Sequence, residues 1–360
     1  MKGKIAVMNQ PGELTVKEYT LPKAEEGSVL AKILRTNVCG SEVHIWKGTD
    51  PSETSGLLGH EMVGEIMDLG TDVYTDNAGT PIKVGDRISA LYYLTCGRCY
   101  YCTNHQAHLC ENAHNFYSKL PDEYPHFHKT FATHYYIHPD QHFYKVPDNI
   151  PDSVAASANC AISQVYFGIE KANLKYGNSI VIQGAGGLGL NASALAKEFG
   201  AKTIVIDSVQ NRLEMAKRFG ADYVIDMNEY DTVEKRSALV YELTNGRGAD
   251  IAMELTGVAP AFNEGLHLIR IGGQYVSIGN LAEGSIPFDP SLPIKKSIQI
   301  ISLSRYDPQY LNKSLQFLSE NIDKYPFEEI VGKPFKFEEL ETALNKSVSR
   351  EITRASIIMN

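Results

Sequence analysis

Beyond residue 178 the chain alternates between two textures. Ser-Ile-Val-Ile-Gln at 179–183 is a short apolar run suited to a buried strand, and a helical pattern follows it to Phe199. The pairing recurs with strand 203–207 and helix 211–219, then strand 223–225 and a helix near 232–244. Strand 250–254, a helix near 261–268 and strand 274–278 complete the series. Strands alternating with helices predict an α/β fold, a doubly wound parallel sheet with helices on both faces. The first 90 residues read differently, as short strands at 4–8, 28–36, 61–69 and 87–90 broken by turns such as Pro11-Gly12 and Val84-Gly85-Asp86. Residues 91–145 show little periodicity and read as loops. After residue 300 the pattern is helix, short strands, helix and the apolar tail 357–359.

These textures predict a nucleotide-binding domain at 162–300 inserted into a mostly β domain built from 1–161 and 301–360, with a cysteine lobe at 91–115. The length of 360 residues suits two domains, and 43% hydrophobic with 21% charged residues is ordinary globular composition. A net charge of −9 argues against a nucleic-acid partner, which calls for a basic face. Residues 176–196 carry no charge, but five glycines and several polar side chains interrupt them, so they read as strand, turn and helix rather than a membrane span. The apolar stretch 5–8 is too short for a signal-peptide core. The expectation is a soluble, cytoplasmic protein.

The glycine turn is the first piece of chemistry. Strand 179–183 runs into Gly184-Ala185-Gly186-Gly187-Leu188-Gly189, and a helix opens there. Gly184 allows a tight turn, Gly186 lets a pyrophosphate approach the backbone, and Gly189 lets the helix lie close to the strand. Free amides at the helix start then face phosphate oxygens. Asp207 follows 18 residues after Gly189, at the end of the next strand, where a carboxylate can accept from both ribose hydroxyls and repel a 2′-phosphate. The pattern predicts NAD rather than NADP.

The cysteines supply the second piece. Cys96, Cys99, Cys102 and Cys110 lie within fifteen positions, a cluster that in a cytosolic enzyme points to metal or catalysis. Four thiolates on one loop suit a closed, tetrahedral zinc site. An iron–sulfur cluster is the rival, but the last gap is seven residues and no proline follows Cys110. Cys39, His60 and Cys160 are further candidates. Taken singly, a buried thiol or a satisfied core histidine explains each, and spacing alone does not join them.

Taken together, these residues resemble the zinc-dependent medium-chain alcohol dehydrogenase family. The likeness covers essentially the whole chain. It rests on Cys39-x4-His44, Gly59-His60-Glu61, the four-cysteine lobe, the glycine turn, and Gly-Ala-Asp at 220–222 and 248–250. The resemblance implies a GroES-like catalytic domain around a Rossmann domain. It implies a catalytic zinc on Cys39, His60 and Cys160, with Glu61 beside it as a transient ligand, and a structural zinc on the lobe, two Zn²⁺ per chain. It implies a proton relay from Ser41 to His44, a carboxylate at Glu42 near His60, ribose contacts from Asp207 and Arg212, and a pyrophosphate contact from Arg354. Gly40, where some relatives carry a phosphate-binding arginine, shifts the likeness toward the polyol branch, as does Arg305-Tyr306, a pair that in that branch lies near substrate.

The implied activity is reversible hydride transfer between NAD and a small-molecule alcohol or polyol, giving an aldehyde or ketone, in a homodimer or homotetramer without membrane or nucleic-acid partners. The competing class is a zinc- and NAD-binding relative with a structural or regulatory role, and the intact Cys39, Ser41, His44, His60 and Cys160 argue against it. A zinc-free enone reductase is a third, and the cysteine lobe argues against that. The segment 112–142 holds Tyr117, Phe127 and Phe131 among His114, His126, His128, His134, His138 and His142. Either it shapes a pocket or, for most of these histidines, it is an ordinary loop and strand.

Overall fold

The computed structural model describes residues 1–49, 54–115, 119–279, 285–349 and 351–359. Tyr117 lies outside them. Two compact units divide the chain: Met1–Ser163 with Arg305–Asn360, and Gln164–Ser304.

The second unit is built on six parallel strands. Their order across the sheet is Tyr223–Asp226, Lys202–Asp207, Ser179–Gln183, Ala249–Glu254, Ile269–Ser277 and Gln299–Ser302. Ser179–Gln183 is wholly buried, and Val181 and Ile182 sit between neighbours on both sides, which is why this stretch reads as a continuous apolar run. Strand order reverses between Ser179–Gln183 and Ala249–Glu254. Parallel sheets bind ligands at such a switch point, beyond the carboxyl ends of the strands. The glycine turn leaves Gln183 at that point.

The first unit carries two sheets. A three-stranded one joins Glu13–Thr20, Lys2–Gln10 and Gly56–Leu57. A seven-stranded one runs Phe335–Lys336, Ser356–Ile358, Val29–Asn37, Val63–Leu69, Arg87–Ala90 and Phe143–Lys145, with His134–Ile137 paired to Val29–Asn37. All pairings in the larger sheet are antiparallel except Phe335–Lys336 with Ser356–Ile358. Ile5, Met8, Ile33, Met62, Ile66, Ile88 and Phe131 fill the core between these layers.

One expectation needs correction. Residues 91–145, where the lack of periodicity predicts loops, contain the strands His134–Ile137 and Phe143–Lys145. All four residues of His134–Ile137 are buried, so the period-2 signal that marks a half-exposed strand is absent there. The two compact units divide the chain at 163/164 and 304/305, within about four residues of the expected 161/162 and 300/301. Ser163 Oγ lies 3.1 Å from Ser314 Oγ and stays with the first unit, while Gln299–Ser302 completes the parallel sheet of the second.

Three of the histidines in 112–142 are packing elements. His126 stacks on Tyr19 with ring centroids 4.4 Å apart. His134 lies 2.8 Å from Thr133 Oγ1 and meets Phe127 edge to face. His128 is fully buried, with Nε2 3.1 Å from the Glu123 carbonyl. Burial pulls His128 and His134 down to about 4. The unfolded chain protonates such groups near pH 6.5 and the folded chain only near pH 4, so stability is retained above pH 6.5 and falls as pH drops toward 4. Each histidine contributes at most on the order of 3 kcal/mol to that fall. Urea unfolding at pH 7.5 and pH 5 should show the loss, and His134→Gln should flatten it.

Candidate active site and metal centres

The first ligand group assembles from three separate segments. Cys39 caps the helix Gly40–Trp46, His60 lies in an irregular stretch before Val63–Leu69, and Cys160 sits on the π-helical turn Ala158–Ile162. One ligand atom each from Cys39, His60, Glu61 and Cys160 falls within a 4.8 Å envelope. A tetrahedral zinc with sulfur arms of 2.3 Å sets its sulfurs about 3.8 Å apart. The Cys39 and Cys160 sulfurs are 3.8 Å apart, and His60 Nε2 is 3.2 Å from Cys160 Sγ. The donor set therefore fits a single metal ion with two thiolates and an imidazole.

Glu42 links two of these segments. Its Oε2 accepts the Cys39 backbone N–H at 2.9 Å, and its Oε1 lies 2.5 Å from His60 Nδ1. A carboxylate on Nδ1 fixes the proton there and turns Nε2 toward the sulfurs as a lone-pair donor. Asn159 adds a brace, donating from Nδ2 to the His60 and Ala90 carbonyls at 2.8 Å each.

Electrostatics favour a cation in this group. The hydrogen bond with Cys160 draws Cys39 well below the usual thiol range, helped by His60 and Arg354. The same bond and burial push Cys160 well above it. Burial outweighs Arg354 and raises Glu61 to about 7. Two sulfurs and two carboxylates share a buried space with one guanidinium, and a dication is the group that lets them all ionise.

Arg354 meets Glu61 directly. Its Nη1 is 2.6 Å from both carboxylate oxygens and 3.2 Å from Ser157 Oγ, in a site where Arg354 is 5% exposed and Glu61 is fully buried. Neither this pair nor Ser157 is legible in the sequence, because the partners lie 293 and 197 residues apart from Arg354.

Ser41 and His44 sit three residues apart on the helix Gly40–Trp46, both half-buried, so they share one face. No hydrogen bond joins them among the described residues. His44 Nδ1 lies 3.4 Å from Thr49 Oγ1, and Thr49 Oγ1 donates to the His44 carbonyl at 3.0 Å.

The second ligand group is the lobe. Cys96, Cys99, Cys102 and Cys110 also fall within 4.8 Å of one another, with Cys99 and Cys110 sulfurs 4.0 Å apart. All six cysteines are free thiols. The Cys96 N–H donates to Cys110 Sγ at 3.4 Å and Asn112 Nδ2 to Cys96 Sγ at 3.2 Å. Burial raises Cys96, but donors from Arg98, Asn112 and Cys99 outweigh it and bring the thiol down to about 6. Four sulfurs at this spacing suit a closed tetrahedral site.

In the second unit, Gly184 adopts φ +97°, open only to glycine at no cost, and a Cβ on Gly189 would lie 1.9 Å from the Gly184 carbonyl oxygen. A Cβ on Gly186 would meet nothing within 4 Å. That open cradle faces the first turn of the helix Gly187–Glu198, where Gly187, Leu188 and Gly189 have no intrahelical acceptor for their N–H groups. Asp207 holds the turn itself, its Oδ2 accepting the Ala185 N–H at 2.7 Å and its Oδ1 the Ser208 and Val209 N–H groups. Arg212 is half-buried on the helix Gln210–Arg218 that follows. The residues present fit a dinucleotide.

Tyr92 is a neighbour the sequence did not flag. Its ring centroid is 4.9 Å from that of His60, 5.2 Å from Tyr93 and 6.1 Å from Tyr306. Tyr306 is fully buried and its hydroxyl bonds the Asn159 carbonyl, so it braces the site from behind.

Comparison with known proteins agrees with this geometry. Residues 25–148 match the alcohol dehydrogenase GroES-like domain and residues 187–320 the zinc-binding dehydrogenase domain. The chain is 33% identical over 324 residues to sorbitol dehydrogenase of Halalkalibacterium halodurans, covering 89% of each chain. It is 29% identical over 339 residues to D-arabitol-phosphate dehydrogenase of Enterococcus avium, covering 91% of this chain and 89% of the other. An alcohol dehydrogenase structure from Thermotoga maritima superposes with a TM-score of 0.91 at 30% identity, over 99% of both chains. The chain belongs to the zinc-dependent medium-chain alcohol and polyol dehydrogenase family.

Proposed function

We propose that this protein oxidises an alcohol or polyol to an aldehyde or ketone, reversibly, with NAD and two Zn²⁺ per chain. The observation that carries the reading is the Cys39, His60 and Cys160 group with Ser41 and His44 on the helix that Cys39 caps. A zinc ion there supplies Lewis acidity at the alcohol oxygen, and NAD supplies the hydride acceptor. The rest is work for the chain's own side chains. Glu42 orients His60 and the backbone of Cys39. Ser41 takes the hydroxyl proton and His44 passes it to solvent, with one intervening hydroxyl or water completing the path. Glu61, held by Arg354, stands ready as an exchangeable ligand. The glycine turn and Asp207 hold the dinucleotide, with Arg212 at the ribose.

The substrate is a small alcohol or carbonyl compound. The sorbitol and arabitol-phosphate enzymes among the relatives support the polyol class. The reading carries with it a homodimer or homotetramer in the cytoplasm. Among the described residues no helix is long and apolar enough to cross a membrane. NADH formation with a panel of alcohols and polyols tests the activity, and no turnover of any of them would overturn it.

Metal analysis should give two zinc ions per chain. Cys99→Ser should lose one and lower the melting temperature. Glu42→Gln should weaken zinc at the other site by about 10- to 100-fold, read by competition with a chelator.

Asp207 should make kcat/KM higher with NAD than with NADP. Asp207→Gly should narrow that ratio and also weaken binding of both cofactors, because the Ala185 N–H loses its acceptor.

Ser41→Ala should slow turnover by about 10²- to 10⁴-fold. His44→Ala should slow it less, and added buffer bases should partly restore it. A wild-type rate for Ser41→Ala, with a full deuterium isotope effect showing hydride transfer to be limiting, would remove Ser41 from the path.

A further inference from the structure

We infer that Glu254 sets the oxidation-state preference of the cofactor site: a buried carboxylate that no cation neutralises favours the oxidised, positively charged nicotinamide over the reduced, neutral one. The inference rests on the NAD reading above and concerns only residues of the parallel-sheet unit.

Glu254 ends the strand Ala249–Glu254 and lies in register with Gln183, the residue from which the glycine turn starts. On the other side of Ser179–Gln183, the strand Lys202–Asp207 ends in Asp207. Two carboxylates therefore flank the strand that feeds the turn. In a doubly wound sheet each half binds one mononucleotide of a dinucleotide, and the halves meet at the switch point. With the adenosine ribose at Asp207, the nicotinamide half falls to the side of Glu254.

The carboxylate is built into that side, where it is 1% exposed. Its Oε1 accepts three hydrogen bonds, from the Thr256 N–H and hydroxyl at 2.6 Å each and from the Gly257 N–H at 2.8 Å. Thr256 Oγ1 in turn accepts the Val258 N–H at 3.0 Å. The Thr256 methyl lies against Gly184, 2.8 Å from where a Cβ would stand. One side chain thus shapes the segment after its strand and seats it on the glycine turn. Oε2 is buried with no hydrogen-bond partner. A Cβ on Gly279 would collide with it, so backbone closes over this oxygen just beyond the strand Ile269–Ser277.

Nearby acids of the same unit have cations. Arg236 Nε is 2.5 Å from Glu264, and Arg270 Nε is 2.6 Å from Asp250. Among the described residues no ion pair reaches Glu254. Three donors on one oxygen suit an acceptor-only carboxylate. Its charge is felt at the buried Tyr275 hydroxyl, whose pKa is raised by burial and then by Glu254 and Glu264. A buried negative charge without a cation is costly. A positively charged ring brought to the same end of the sheet lowers that cost, and a neutral ring does not.

The test measures equilibrium binding of NAD⁺, NADH and ADP-ribose to zinc-loaded protein by calorimetry, with no substrate present. Glu254→Gln keeps an acceptor for the three donors and removes the charge. It should raise the ratio of the NAD⁺ Kd to the NADH Kd by about 3- to 30-fold, the size of one charge–charge interaction through a protein interior. ADP-ribose, which has no nicotinamide, should bind no worse than it does to the wild type. An unchanged ratio, even with both cofactors weakened, would make Glu254 purely structural and overturn the inference. Should Glu254→Gln fail to fold, Glu254→Asp decides the matter. It keeps the charge on a shorter stem, so the ratio should stay near the wild-type value, and a rise of the size expected for the glutamine variant would overturn the inference. Absence of binding by all three ligands in the wild type is a separate result, and would overturn the dinucleotide reading itself.

Discussion

The Glu42 carboxylate is the constraint on which the active-site geometry depends. One oxygen caps the start of the helix Gly40–Trp46 through the Cys39 N–H, and the other orients His60. Cys39 and His60 come from different segments, and in a buried site neither has freedom to adjust once the backbone is set. Sharing one carboxylate makes their relative position a property of the helix start rather than of two independent side chains. It also settles which imidazole nitrogen carries the proton, and so which can bind metal. Glu61, itself within the ligand group, pairs with Arg354.

The cysteine lobe also ties distant segments of the first unit together. His108, between Cys102 and Cys110, grips Asp307 through both its backbone and its ring. His114, just beyond Cys110, meets Arg305. Tyr93, just before Cys96, bonds the Tyr306 carbonyl. The lobe thus clamps 305–307, three residues far from it in sequence, and the Tyr306 hydroxyl carries that brace to Asn159 beside Cys160. A segment with few apolar residues can hold this position only if something other than a hydrophobic core orders it, and four converging sulfurs offer that.

In the parallel-sheet unit one aspartate has two tasks. Asp207 stands where a ribose carboxylate belongs, and it also accepts the Ala185 N–H inside the glycine turn. The turn and the next strand are therefore locked to each other by the group expected to read the cofactor. Steric demand does the rest: with 1.9 Å from a Gly189 Cβ to the Gly184 oxygen, no side chain fits, while Gly186 opens outward onto free space.

The sequence by itself determined the local chemistry. Alternating apolar runs and helical patterns gave the parallel sheet, because a strand buried on both faces leaves a continuous apolar signature. The glycine turn and the lobe were legible because each is a single short segment whose spacing carries the geometry. Cys39, His60 and Cys160 came from family resemblance, since nothing in a gap of 21 or 100 residues encodes proximity. Tertiary structure alone decided the contacts across such gaps: Glu61 with Arg354, Arg305 with His114, Asp307 with His108, and Tyr92 against His60. It alone showed His134–Ile137 to be a strand, since burial on both faces erases the alternation that marks one. The physical reason is the same throughout. Periodicity and spacing record what a segment does with its own neighbours, whereas a side chain's distant partner is fixed only when the sheets close around it.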